Sequence, residues 1–302
     1  MPCYADDTNL LSTLCSFDIS IQQNINLRTL SMNINDELQK IHTWLAINKL
    51  SLNVKKTKFM LFHHRRRNIE NMIPELQING YKLERVREFN FLGLLIDENL
   101  TWDSHIQKVS SKVSRILGVM YRLKSYIPGH ILLILYNTMI MPHLQYSILN
   151  WGHKSSRLHK LQKQGVRTVT NSKYRAHTEG HFKRLNLLKL PDIYKNSILK
   201  FYYKYEHDTV PEYFKSTNFI TKPSHEYSTR QRGPLRNPLA HTSCAQQSLR
   251  FNLSNLIRST PEQTLEKIYT HSLQGFNWYI KRTTIANYQL ECSIPECYIC
   301  NL

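Results

Sequence analysis

The apolar residues between positions 21 and 48 recur at intervals of three and four, as in a helix that buries one face. They occupy positions 27, 30, 34, 38, 41, 44 and 45. This spacing predicts a helix that ends near Asn48. Residues 59–62, Phe-Met-Leu-Phe, then change the period with a short apolar run, which predicts a buried strand.

Residues 76–96 favour strands separated by turns. Asn79 and Gly80 both tolerate a positive φ, so this pair predicts a hairpin turn, and a further strand is predicted to end at Ile96. The basic run at 65–68, Arg-Arg-Arg-Asn, predicts a loop. That loop is either a solvated turn or part of a surface that faces nucleic acid.

From Trp102 onward the pattern becomes helical. Positions 106, 109, 113, 116, 117 and 120 are apolar and share one face of a predicted helix. The cations around the remainder of that helix are Lys108, Lys112, Arg115, Arg122 and Lys124. A basic outer face can hold a phosphate backbone, although simple solvent exposure explains the lysines equally well.

The middle of the chain predicts further helices that are interrupted by prolines. One helix follows Pro128, continues to about residue 140 and is predicted to break at Pro142. A third basic stretch begins near Lys154. Residues 185–208 predict two helices that are split at Pro191.

Towards the end of the sequence the periodicity weakens and then returns. Residues 222–245 are rich in Pro, Ser and Arg, so they predict a linker or a loosely ordered segment. Residues 261–283 predict a last helix. Short strands followed by a long helical region predict an α+β fold.

Charge changes this picture more than any other bulk property. The 302 residues contain 40 Lys and Arg against 22 Asp and Glu, for a formal net charge of +18. Such a chain attracts polyanions, and the binding releases their counterions. Nucleic acid is therefore the favoured partner, with a generically basic protein as the alternative.

No run of residues is apolar enough to span a bilayer, which needs about 18–20 consecutive apolar residues. The nearest run, residues 131–146, is interrupted by Asn137, Pro142 and His143. The start of the sequence does not resemble a signal peptide. We therefore expect no membrane partner and an intracellular location, either cytoplasmic or nuclear, with reduced thiols.

The cysteines near the end of the sequence raise the question of zinc. Cys297 and Cys300 have the C-x-x-C spacing of half a zinc site, and Cys292 or His271 could be recruited to it. A second cysteine pair is missing from this region. An incidental cysteine-rich segment is the alternative interpretation.

Several motifs occur in an order that resembles the C-terminal half of a reverse transcriptase of the LINE-type (non-LTR, Jockey-like) retrotransposon class. The resemblance covers residues 3–210, and 223–285 loosely. The matching segments are YADDTNLL (4–11), LAINKLSLNVKKTKFMLF (45–62), FNFLGLLIDENLTWDSHI (89–106), ILYNTMIMPHLQYSILNWG (134–152) and residues 161–194.

The resemblance implies RNA-directed DNA polymerase activity and a role for the acidic pair Asp6 and Asp7. Polymerases of this kind hold two Mg²⁺ ions about 3.5–4 Å apart between the primer hydroxyl and the incoming triphosphate. Both aspartates are implied to be catalytic and metal-binding, with Asp6 directed at the ions. Tyr4 is implied to contact nucleic acid. Without the resemblance, the pair Asp6-Asp7 before Thr8 is more typical of a turn or a helix cap.

Other residues acquire roles from the same resemblance. Lys56, in the pattern that begins at Asn53, is implied to stabilise the triphosphate or to protonate the leaving pyrophosphate, and Lys55 or Lys58 could be mistaken for it.

The resemblance also implies a set of residues that bind nucleic acid: Tyr4, Asn53, Phe91, Leu92, Gly93, Lys108, Lys112, Arg115 and Arg122. Phe91, Leu92 and Gly93 match the primer-grip hairpin. Trp102 and His105 are interpreted first as packing residues. The implied partners are template and primer, RNA and DNA.

The resemblance also implies a division of the chain. Residues 1–100 would be the remnant of a polymerase palm and 101–152 thumb-like helices. A helical region (153–221), the linker (222–245) and terminal helices with the cysteine segment (246–302) would follow.

In this class of polymerase, an earlier strand supplies another metal-binding aspartate, and finger segments precede the palm. We therefore expect the 302 residues alone to lack polymerase activity. The alternatives are a remnant that binds nucleic acid without sequence preference and a relic with no selected function.

Overall fold

A computed structural model of the chain shows two compact units, residues 1–101 and 102–302. Helices predominate over a few short strands in the described part, which confirms an α+β fold with a helical majority. The predicted palm boundary at 100/101 lies next to the division between the units. The finer boundaries stay predictions, and most of the predicted linker lies outside the described residues. The structure describes residues 3–4, 7–8, 23–65, 75–217, 219–220, 235, 238–240 and 242–290.

The first unit is built on one long helix and short paired strands. Helix α1 spans Gln23–Ile47, close to the predicted 21–48. The strands are β1 (Cys3–Tyr4), β2 (Asp7–Thr8), β3 (Lys58–Phe59), β4 (Gln77–Ile78), β5 (Tyr81–Lys82), β6 (Glu84–Arg85), β7 (Glu88–Phe91) and β8 (Leu94–Asp97). Leu38 of α1 is buried against Leu76, Ile78 and Leu83, and this cluster forms the core.

Not every apolar residue of α1 joins this core. Met32 is 67% exposed, Trp44 58% and Ile47 75%. The helix therefore buries the stripe that contains Leu30 and Leu38, while other apolar side chains lie in solvent.

The strand pairing follows the turn chemistry of the sequence. β4 and β5 are antiparallel around Asn79 and Gly80, whose φ angles are 49° and 77°, so the predicted hairpin is confirmed. β7 and β8 form a second antiparallel hairpin, and β3 pairs in parallel with β6. The predicted strand at 59–62 is shorter than expected, because only Lys58–Phe59 finds a partner.

A half-buried ion pair connects these strands. The Arg85 guanidinium lies 2.8 Å from the Glu98 carboxylate, and the backbone N–H of His63 donates to the Glu98 carbonyl at 3.1 Å. The N–H of Glu98 in turn donates to the Arg87 carbonyl at 3.0 Å. The β7–β8 hairpin is thereby fixed against β3 and β6.

The described residues of the second unit form helices joined by turns and loops, with no strand among them. The helices are α2 (Asp103–Leu123), α3 (Gly129–Leu135), α4 (Met141–Gln145), α5 (Ile148–Trp151), α6 (Ser156–Val169), α7 (Glu179–Arg184), α8 (Leu190–Glu206), α9 (Glu212–Ser216), α10 (Ser243–Gln247), α11 (Leu249–Ser259), α12 (Glu262–Thr270) and α13 (Leu273–Ala286). A π-helical segment, Tyr136–Ile140, joins α3 to α4. None of the described helices has the length and apolar character needed to cross a membrane.

The core of this unit forms where α2, α6 and α8 meet their neighbours. α2 packs along α6, and α8 contacts α6, α11 and α13. The large side chains of Trp151, Tyr136 and Phe182 are fully buried. Gln162 of α6 is also fully buried, and its amide donates to the Leu188 carbonyl at 2.9 Å and accepts from the Leu190 N–H at 2.7 Å.

Two predictions about prolines were wrong. Pro142 does not break the helix, because the preceding segment widens to π geometry, in which the Met141 N–H donates to the Tyr136 carbonyl. Pro191 does not split residues 185–208 into two helices. It lies in the first turn of α8, where a missing N–H costs little.

The last predicted helix, residues 261–283, is two helices. α12 ends before His271, and Ser272 caps α13 by accepting a hydrogen bond from the Gly275 N–H at 3.3 Å. A serine can begin a new helix as its N-cap, and the spacing of the apolar residues on either side does not reveal this.

The packing around α5 generates a stability prediction. A Cβ at Gly152 would overlap the buried ring of Tyr194 and lie 2.9 Å from Cγ1 of Ile148. We expect Gly152→Ala to lower the free energy of unfolding by about 1–3 kcal/mol, the usual effect of overpacking a core. Urea denaturation followed by circular dichroism measures it.

Gly118 provides the matched control, because a Cβ there meets nothing within 4 Å. Gly118→Ala in the interior of α2 should raise stability by about 0.5–1 kcal/mol. If the two substitutions changed the free energy of unfolding equally, the core around Gly152 would accommodate a Cβ without overpacking, and the prediction would be wrong.

Candidate nucleic-acid interface

Asp7, the second residue of the acidic pair, is the first residue of β2 in a short hairpin. β1 and β2 pair antiparallel with Tyr4 opposite Asp7 and Cys3 opposite Thr8. Ala5 and Asp6 lie between the strands in sequence. Asp6 and the side chains of Tyr4 and Asp7 lie outside the described residues, so for this site the structure shows backbone pairing only.

Two described carboxylates that follow the predicted primer-grip hairpin in sequence, Asp97 and Asp103, make local contacts. Asp97 is buried at the end of β8, and its oxygens accept hydrogen bonds from the Asn99 N–H (3.1 Å) and the Thr101 N–H (2.9 Å). Asp103 accepts from the Lys154 ammonium at 3.1 Å. Within the described ranges, no three His, Cys, Asp or Glu side chains are placed to hold a metal ion.

The Asn53 turn presents the candidate lysine to solvent. The Asn53 carbonyl accepts from the Lys56 N–H at 3.0 Å and from the Thr57 hydroxyl at 3.1 Å, and its side-chain oxygen accepts from the Lys56 N–H at 3.2 Å. Lys55 and Lys56 are both exposed. Lys58 instead pairs with Glu84 at 2.9 Å, which distinguishes it from the other two.

The tip of the β7–β8 hairpin contains Leu92 and Gly93. Their φ angles are 47° and 86°, the combination found in a type I′ turn. Gly93 adopts a positive φ without strain. For Leu92, which has a Cβ, the left-handed conformation costs about 1–2 kcal/mol. The turn leaves the Leu92 side chain 39% exposed beyond Phe91. The predicted primer-grip residues are therefore adjacent at one exposed tip.

The predicted cations of α2 form a stripe. Lys108, Lys112, Arg115 and Arg122 follow one another at intervals of four, three and seven residues, so they share one side of the helix. From Lys108 to Arg122 the stripe extends about 21 Å at 1.5 Å per residue. The opposite face is buried through Val109, Val113, Leu117 and their neighbours. We call this set the α2 stripe.

The heads of the α2 stripe lie against the helix surface. Lys112, Arg115 and Arg122 are exposed, and Lys108 is half-buried. The Nε of Arg115 donates to the Ser111 carbonyl at 3.4 Å, and the Nε of Arg122 donates to the Gly118 carbonyl at 3.3 Å. Each bond uses one of five guanidinium donors. Lys124 instead lies over the Tyr121 ring, 4.3 Å from its centroid.

His105 packs beneath this stripe. It is buried between Trp102 and Trp151, with ring centroids 6.4 and 5.9 Å away, in agreement with the interpretation of His105 and Trp102 as packing residues. Burial lowers the pKa of His105, and the charges of Lys108 and Lys112 lower it further. A neutral imidazole thus lies close to two of the four cations.

A second cationic surface follows α6. Lys160, Leu161, Gln164, Arg167, Tyr174 and Arg175 line one groove. The basic stretch of α6 was predicted from the sequence, whereas Tyr174 and Arg175 were not. The available signal was an aromatic residue flanked by cations in the segment Lys173-Tyr174-Arg175.

Cys292, Cys297 and Cys300 lie outside the described residues, as do Arg66, Arg67 and Asn68 of the basic loop. His271, the histidine considered as a zinc ligand, shares a 2.9 Å hydrogen bond with the Thr270 hydroxyl.

Comparison with known proteins finds no matching protein family, no matching curated protein and no matching solved structure. The resemblance to LINE-type reverse transcriptases therefore rests on the motifs in the sequence.

The lowered pKa of His105 makes stability depend on pH. The unfolded chain protonates its histidines near pH 6.5, whereas His105 in the fold takes up a proton only at lower pH. Below about pH 6.5 the unfolded state thus binds more protons, and the free energy of unfolding falls as the pH falls. His105→Phe keeps an aromatic ring that does not titrate. The free energy of unfolding of this variant should therefore fall less between pH 7 and pH 5 than that of the wild type.

Denaturation with urea at a series of pH values measures this difference. The control is His130→Phe, because His130 is exposed on α3. An identical pH dependence in wild type and His105→Phe would contradict the prediction. Burial also lowers the pKa values of His153, His159 and His181, so a residual dependence is expected.

Proposed function

We propose that this chain is part of a LINE-type reverse transcriptase and that it binds the sugar–phosphate backbone of RNA and DNA without sequence preference. The observation that carries the binding proposal is the α2 stripe. Its four cations share one side of a helix whose opposite face is buried, and Asp103 is the only acidic residue of that helix. A row of cations of this kind matches the regular charge of a phosphate backbone.

The positive charge of the whole chain, in addition to that of the α2 stripe, favours association with a polyanion. A net charge of +18 draws a polyanion towards the surface, and phosphate contacts then release counterions. Lysine and arginine contacts to phosphate fix position but do not distinguish bases. The proposed binding is therefore insensitive to sequence and sensitive to salt.

The first unit supports the reverse-transcriptase part of the proposal through two hairpins. β1 and β2 bring Tyr4 and Asp7 into register, and the β7–β8 hairpin presents Leu92 and Gly93 at its tip. In the proposed role these elements are the metal-binding turn and the primer grip of a palm, and Lys56 faces the triphosphate. The resemblance implies that a polymerase of this class takes a further metal-binding aspartate from another strand, and Asp97 and Asp103 are engaged in local hydrogen bonds. We therefore propose that these 302 residues alone do not polymerise.

The α2 stripe predicts the salt dependence of binding. The logarithm of the association constant for duplex DNA should fall linearly with the logarithm of the salt concentration, by about 0.9 per phosphate contact. Lys112→Gln combined with Arg115→Gln should make that slope shallower by about 1.8, because two contacts are lost. Fluorescence anisotropy between 50 and 200 mM salt measures it.

The matched control removes two exposed lysines from other helices, Lys195 of α8 and Lys281 of α13. Lys195→Gln combined with Lys281→Gln changes the net charge equally and should leave the slope close to that of the wild type. Binding that is absent, or that does not respond to salt, would rule out the proposed interface.

Primer extension tests the catalytic part of the proposal. The 302-residue chain is incubated with Mg²⁺, deoxynucleoside triphosphates and an RNA template annealed to a DNA primer. We expect no extension, in the wild type or in Asp6→Asn. DNA synthesis that Asp6→Asn abolishes would show instead that these residues form a complete polymerase site.

A further inference from the structure

The groove beside α6 combines cations with an exposed aromatic ring. It measures about 370 Å³, within the range of roughly 300–1,000 Å³ that is usual for ligand sites. Lys160, Arg167 and Arg175 contribute three positive charges to its lining, which contains no acidic side chain. The groove is therefore suited to an anion.

A fixed loop builds one wall of this groove. The Arg167 Nε donates to the Ala176 carbonyl at 2.8 Å, and the Ser172 N–H donates to the Arg167 carbonyl at 3.0 Å. The Ser172 hydroxyl is also hydrogen-bonded to the Thr170 hydroxyl at 2.7 Å and to His181 at 3.0 Å. These bonds hold the segment that contains Tyr174 and Arg175 against α6.

Tyr174 is the unusual member of the lining. It is 80% exposed, and apart from Leu161 the other residues of the lining are polar or charged. An exposed aromatic ring among cations offers a flat surface on which a nucleobase can stack, while the cations take the adjoining phosphates. Burial lowers the pKa of Arg167, but a guanidinium keeps its charge at neutral pH.

We propose that this groove is a binding site for single-stranded RNA or DNA, in which one unpaired base stacks on Tyr174 and the flanking phosphates contact Lys160, Arg167 and Arg175. This inference rests on the proposed nucleic-acid binding and adds a preference for unpaired strands. Bases within a duplex are already stacked on each other, so a duplex gains only the phosphate contacts here.

Tyr174→Ala in the full chain tests the stacking. Its affinity for a short single strand should fall about tenfold, whereas its affinity for a duplex of the same length should not change. Tyr174→Phe retains the ring and should bind both like the wild type. The control is Tyr213→Ala, because Tyr213 on α9 is 69% exposed and lies outside the groove lining.

Two further readouts separate stacking from charge. A single strand that contains 2-aminopurine should lose fluorescence on binding to the wild type and Tyr174→Phe, but not on binding to Tyr174→Ala. The salt slope for single strands should be unchanged in Tyr174→Ala and shallower by about 1.4 in Lys160→Gln combined with Arg175→Gln. Arg167 is left in place because it fixes the loop.

The possible failures differ from one another. The wild type could bind with a steep salt dependence while Tyr174→Ala binds as tightly, or is weakened equally for single strand and duplex. Either result would overturn the stacking site and leave the proposal for the α2 stripe intact. Absence of binding to any nucleic acid would overturn both proposals. Adenosine monophosphate that binds as tightly as the oligonucleotide would show that the groove takes a free nucleotide and not a strand.

Discussion

The helical unit depends on one buried amide. The fully buried Gln162 of α6 donates to the Leu188 carbonyl and accepts from the Leu190 N–H, so a single side chain fixes the segment from which α8 starts. His159, one turn earlier, shares its acceptor oxygen at 3.1 Å. An apolar residue at this position would leave buried backbone groups without partners. These two bonds tie the segment before α8 to α6, and α11 and α13 in turn pack on α8.

The charged surfaces depend on the same packing. α2 lies along α6 through its buried face, so the side of α2 that contains Lys112 and Arg115 must face outward. The period that buries Val113 and Leu117 therefore also aligns the cations. At α6 the relation is different, because a guanidinium of the helix forms the wall of the groove by holding the following loop. One surface results from helix periodicity and the other from a side-chain to backbone contact.

This difference explains how much the sequence could predict. The helix at 103–123 and the hairpin at Asn79-Gly80 are encoded within a few residues, and both were predicted. The π-helical segment before Pro142 was not, because relief of a proline clash by a wider turn leaves no periodic signal. The Gln162 bonds join residues 26 and 28 positions apart, and the Arg167 bond to Ala176 joins residues nine apart. Contacts of this kind depend on the tertiary fold, so Tyr174 and its groove were missed.

The exposed apolar side chains of α1 have a consequence for the colloidal behaviour of the protein. Helix α1 exposes three large apolar side chains to water, those of Met32, Trp44 and Ile47. The chain as a whole carries a net charge of +18. Low ionic strength keeps such molecules apart through charge repulsion, whereas added salt screens that repulsion. Sulfate and similar salts also strengthen association between apolar surfaces. Salt concentrations that would weaken the proposed contacts to nucleic acid are therefore also those that favour association between molecules of this protein.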